Sequence, residues 1–115
     1  MGERKVLVLE IGKGVDLRGE DATKASCRAV RDAVGSNGLP GLPAIMEAIP
    51  GKLTVTVRLG LPEGAGPVDH AAIKELLPVG EITVVEGKGG MSTPLYRNSG
   101  NVLIVLAVVE VAIET

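Results

Sequence analysis

From residue 102 to 113 one charged side chain, Glu110, interrupts an otherwise apolar run. Valine and isoleucine dominate it, and β-branched side chains favour pleated strands. Its longest unbroken stretch, 102–109, is far short of the ~20 residues needed to cross a bilayer. The run is therefore read as a strand, apolar on both faces, that the rest of the fold has to cover on both faces. The cover must be aliphatic, because the chain has no Trp, no Phe and a single tyrosine, Tyr96.

The remaining periodicities supply that cover. Segment 5–11 is apolar on both faces until Glu10, which predicts a central strand and not an edge. Segment 52–59 alternates strictly, with Leu53, Val55, Val57 and Leu59 on one face and Thr54, Thr56 and Arg58 on the other. Segment 81–86 reads as a third strand. Ala22, Ala25, Ala29 and Ala33, with Val30 and Val34 beside them, form one apolar stripe and predict a helix over 19–34. An alanine stripe lets a helix lie close on its sheet. Val68, Ala72, Ile73, Leu76 and Leu77 predict a second helix over 68–77, with Pro67 suited to its first turn.

The expected fold is one α+β domain over 1–115, in the order β-α-β-α-β-β. A four-stranded mixed sheet would carry two helices on one face. The other face would expose apolar residues of the first and last strands beside Thr54, Thr56, Arg58 and Thr83. Such a face is seldom left wet. A homo-oligomer packing sheet on sheet is the expected remedy, with a trimer preferred.

Composition limits the partners. Net charge is −2 with acids and bases interspersed, unlike the basic stripe of a nucleic-acid surface. One cysteine, Cys27, excludes an internal disulfide and a cysteine-rich metal site. No signal-peptide pattern opens the chain, so a cytoplasmic protein without a membrane partner is expected.

Residues 10–24 hold three glycines and seven charged side chains. Gly12 and Gly14 are read as the turn from the first strand into the first helix. A dinucleotide fingerprint would need its third glycine at Leu17, and Walker A spacing is absent. Free amides at the helix start could bind a small anion, or Asp16 or Asp21 could cap the turn. Glu10, Asp16, Glu20 and Asp21 are possible hard oxygen ligands, but their spacing matches no calcium loop and capping explains them as well. No metal or cofactor is assigned. His70 reads as a surface or rim residue and Cys27 as a small buried one.

The segment 87–100 is read as a long loop, and long loops inside compact domains are often functional. It offers Lys88, Gly90, Ser92 and Arg97, with Glu86 leading into it. Glu110, in its apolar strand, needs a partner across an interface or a place lining a pocket. The candidate site thus comprises Glu10 or Asp16 as base and Lys24 or Arg18 as anion stabiliser. Gly12, Gly14, Lys88, Gly90, Ser92 and Arg97 complete it as ligand contacts.

The element order resembles the chorismate-mutase-like fold, whose trimers close three sheets into a barrel with sites in clefts between subunits. The motifs Gly12-Lys-Gly-Val-Asp-Leu-Arg-Gly-Glu-Asp-Ala-Thr-Lys-Ala25, Arg28-Ala-Val-Arg-Asp-Ala33, Leu39-Pro-Gly-Leu42 and Val84-Val-Glu86 resemble a small family of uncharacterised bacterial proteins of about this length. Many of its members carry His where this chain has Arg18, so a base or ligand role of that histidine does not carry over. More distantly, the chain is similar to single units of the ring-opening amidohydrolases, which act on cyanuric acid and barbiturate. Their Ser-Lys pairs have only Lys24, Lys88 and Ser92 as counterparts. These resemblances imply a small polar or anionic ligand at subunit clefts, with hydrolysis of a cyclic amide-type compound as the implied chemistry. The alternative is a non-catalytic ligand-binding or structural oligomer.

Overall fold

The 102–113 run lies within the strand on which the sheet is built. The computed structural model describes residues 2–35, 44, 47–48, 50–77, 80–95 and 100–115. Expectations for segment 39–42 and for Tyr96 and Arg97 lie outside these residues. The strands are β1 (Arg4–Asp16), β2 (Lys52–Leu61), β3 (Glu81–Lys88), β4 (Met91–Pro94) and β5 (Asn101–Glu114). Their order is β1-β5-β2-β3, with β4 also paired to β5. β5 pairs antiparallel with β1 on one side. On its other side it pairs with β2 over residues 106–114 and with β4 over 101–104. β2 and β3 are parallel, so the sheet is mixed, with five strands where four were expected.

Both faces of β5 are apolar because both have apolar work. Leu103, Val105, Ala107, Val109 and Val111 are buried on the helix side. Ile104, Leu106 and Val108 point to the opposite face, where Leu106 is 45% exposed.

β1 is an edge strand, which corrects the central position expected for it. Its outward side chains Val6, Leu9 and Ile11 are 50%, 53% and 67% exposed. Apolar character on both faces signals burial by something, and none of the described residues covers that face. The strand also runs past the expected turn. Gly12 and Gly14 are extended strand residues paired with Ala107 and Val105. A Cβ on Gly12 would overlap the backbone of Ala29 and Ala33, and one on Gly14 that of Ala25 and Ala29. The glycines thus seat a helix on the strand.

That helix is α1 (Ala22–Val34). Asp21 caps it by accepting from the Lys24 N–H at 3.1 Å, and the Gly35 N–H closes its end on the Arg31 carbonyl at 2.8 Å. It starts at Ala22, later than Gly19, because residues 17–20 form the actual turn. Its side chains also cover part of the β1 edge. Asp32 Oδ2 accepts from the Lys13 N–H at 2.9 Å, and Arg28 Nη1 donates to the Val15 carbonyl at 2.6 Å.

The second helix, α2 (His70–Lys74), is a short five-residue piece capped by Asp69. It lies on the same face of the sheet and drives Ile73 into the shared core with Val55, Val57 and Val30. The 87–100 segment is not one loop. β3 continues to Lys88, and β4 forms a hairpin with β5 that closes through the Leu95 N–H and the Gly100 carbonyl at 2.8 Å. Gly90 makes the turn between β3 and β4 at φ 71°, where L side chains are rare.

The described residues leave the opposite face of the sheet uncovered. Val6, Leu9, Ile11, Val85, Met91 and Leu106 are all exposed there. Glu110 lies on this face, and Arg4 of the same chain is its ion-pair partner. Among the described residues no helix is long and apolar enough to cross a membrane.

Candidate functional site

The carboxyl ends of β1, β2 and β3 and the amino end of β5 gather at one end of the sheet. Here β1 leaves the sheet at Asp16, turns through residues 17–20 and enters α1. Asp16 is 7% exposed. Its Oδ2 accepts from the Asp21 N–H at 2.7 Å, and its Oδ1 lies 3.4 Å from Arg28 Nη1. Asp16 therefore ties the turn to the helix start and holds Arg28 beside the end of the strand. Val15, Asp16, Leu17, Arg18 and Arg28 line an open depression of about 650 Å³.

The turn is strained at one position. Glu20 has φ 47°, a left-handed conformation that costs a residue with a Cβ about 1–2 kcal/mol. Its Oε1 accepts from Asn101 Nδ2 at 2.9 Å, which ties the turn to the first residue of β5. That contact joins the 10–24 segment to the residue that follows the 87–100 segment.

The register places the other candidates. Asp16 pairs with Leu103, and Leu103 pairs with Ser92. Asp16 and Ser92 thus flank Leu103 on one face, two strand spacings or roughly 10 Å apart. Lys24 is exposed in the first turn of α1. Lys88 and Gly90 lie at the same end, beyond β5 at the junction of β3 and β4. Glu10 does not join them, because six steps of extended strand separate it from Asp16, roughly 20 Å. Gly12 and Gly14 are covered by α1 and offer no surface to a ligand on that face. Arg97 lies outside the described residues.

One pair escaped the sequence reading. His70 Nε2 is 2.5 Å from Glu86 Oε2, linking the start of α2 to the end of β3. Sixteen residues separate them, so no local spacing signals the contact. Asn101 was likewise invisible as a partner of Glu20. Cys27 is half-buried, and burial pushes its thiol up, against the opposing pull of the Arg31 charge. Among the described residues no three His, Cys, Asp or Glu side chains come together as a metal site.

The solved structures include a close match in fold. An FtsZ-like protein of unknown function from Nostoc punctiforme PCC 73102 is 32% identical, with a TM-score of 0.80. The match covers 97% of this chain and 98% of that one. No curated protein matches the chain. The sequence pattern of one family, described as a conserved hypothetical protein family, fits residues 6–111. That span takes in the β1 glycines that seat α1, the Asp16 turn, the β3–β4 junction and most of β5, and the chain belongs to this family, Lin0512.

Proposed function

We propose that the chain binds a small polar or anionic molecule in the depression at the end of β1, and that neighbouring subunits complete the cleft. One observation carries this reading. Asp16 spends one oxygen on the Asp21 N–H and the other on Arg28 Nη1, so Arg18, which has no partner among the described residues, and the remaining donors of Arg28 face an open depression. Planar guanidinium groups suit carboxylate or phosphate oxygens, which they grip with paired N–H donors. Arg18 and Arg28 are the anion contacts, and Lys24 and Ser92 border the same end of the sheet. Asp16 is a positioning residue.

The assembly proposed is a homotrimer of the chorismate-mutase-like kind, with the uncovered sheet faces turned inward. Six exposed large aliphatic or methionine side chains on one face support it. Binding without turnover is favoured over hydrolysis of a cyclic amide. What supports this is that, among the described residues, the carboxylates beside the depression, Asp16 and Glu20, each hold a protein donor.

Isothermal titration with acetate, phosphate and barbiturate tests the site. Arg18→Ala or Arg28→Ala should weaken the bound anion at least tenfold while the oligomer stays intact. Unchanged affinity in both variants defeats the reading.

A further inference from the structure

The five residues that line the depression at the end of β1 include two cations, Arg18 and Arg28, and one carboxylate, Asp16. Two positive charges less one negative leave a net charge of +1. Asp16 is nearly buried and its Oδ1 lies 3.4 Å from Arg28 Nη1, so its negative charge is fixed beside the guanidinium. A net charge of this size matches a monoanion. A dianion would bring a second negative charge next to Asp16, where repulsion opposes it. Arg28 Nη1 is spent on the Val15 carbonyl and on Asp16, and among the described residues Nη2 and Nε of Arg28 have no partner. Two adjacent N–H groups on one side of a guanidinium match the two oxygens of one carboxylate.

The other two lining residues, Val15 and Leu17, are aliphatic. Leu17 is 58% exposed, and it follows the last residue of β1, outside the sheet face assigned to subunit contact. A single exposed leucine is ordinary by itself. This one is held in position beside the two arginines. Asp16 closes the base of its turn on the Asp21 N–H, and Glu20 anchors the same turn to Asn101 of β5. An apolar surface already in place costs a ligand little ordering. The depression, about 650 Å³, lies in the size range of small-molecule sites and is far roomier than a carboxylate group alone requires. None of its lining side chains is an aromatic ring on which a flat ligand could stack. We infer that the ligand of this depression is an aliphatic monocarboxylate, with its carboxylate on Arg18 and Arg28 and its chain over Val15 and Leu17. The inference rests on the anion site proposed above and narrows its chemistry, since acetate would meet only the charged part of the surface.

Calorimetric titration of the full chain with acetate, butyrate, hexanoate and phosphate dianion tests it without any substitution. Affinity should rise along the carboxylate series, by up to about fourfold for each methylene that reaches Leu17 and at least tenfold from acetate to hexanoate. Phosphate dianion should bind more weakly than hexanoate. Leu17→Ser, at an exposed position, should bring hexanoate down to the affinity of acetate while the variant sediments like the natural chain. Three results each overturn the inference and leave an anion site standing: equal binding of acetate and hexanoate, phosphate binding more tightly than hexanoate, or full hexanoate affinity in Leu17→Ser. A Leu17→Ser chain that no longer assembles would overturn it as well, because a neighbouring subunit and not a ligand would then cover Leu17. If none of these anions binds, the anion site itself fails and takes the inference with it.

Discussion

A methyl group on Gly14 would overlap the Ala25 carbonyl oxygen and the Ala29 nitrogen, and neither can retreat without moving α1. Overpacked cores usually lose 1–3 kcal/mol, and a clash with backbone belongs at or above the top of that range. Gly14→Ala should therefore cost about 3 kcal/mol or more in urea unfolding, whereas Gly87→Ala should cost nothing. Asp21→Ala removes the α1 cap and should cost about 1 kcal/mol, a fall of about 4 °C in melting temperature. Cys27 gives a pH signature. Because burial raises its pKa, the thiolate is scarcer at neutral pH than in a free cysteine. Iodoacetamide should modify it more slowly than a model thiol, with the rate still climbing above the usual cysteine range. Its contribution to stability is complete below the unfolded thiol's pKa and is lost as pH rises through the folded one. The dual use of glycine explains what the sequence hid here. The residue that permits turns also permits close packing, and Gly12 and Gly14 read as the first while serving the second.

At the scale of elements, legibility followed periodicity. β2 alternates without error, and its buried set is the expected Leu53, Val55, Val57 and Leu59. The alanine stripe of α1 is buried at Ala22, Ala25, Ala29 and Ala33. β4 was hidden because Met91–Pro94 carries Ser, Thr and Pro, the composition of a loop, and is a strand only because β5 extends beyond β2 to receive it. The edge position of β1 was hidden for a different reason. An apolar face looks the same in sequence whether its own chain or another chain covers it. The candidate site was legible as a stretch, since Asp16, Arg18 and Lys24 do gather near the α1 start, but Glu10 fell away once the strand ran straight through the expected turn. The strained Glu20 should reveal its tether to β5. Asn101→Ala removes the Glu20 partner and should loosen residues 17–20, seen as faster amide exchange there with little change in the β2 core.

For the whole molecule, the uncovered face is the dominant fact. Leu9 and Ile11 stand on it at 53% and 67% exposure, next to Val6 and Leu106. Replacing both with arginine leaves every buried contact of the helix side intact. The double variant should remain folded and sediment as a monomer, whereas the natural chain should sediment as the proposed trimer. A natural chain that sediments as a monomer at micromolar concentration would instead leave the face for some other partner.

The pairing of β1 with β5 also has a kinetic consequence. Arg4 lies opposite Glu114, and the Thr115 N–H donates to the Glu3 carbonyl at 2.9 Å. β1 thus has no sheet partner until β5, about ninety residues later, has been made. Contacts this distant along the chain slow folding. The nascent chain should stay protease-sensitive until β5 clears the exit tunnel, and removal of residues 101–115 should leave no partial fold, since β1, β2 and β4 would all lose the strand they share.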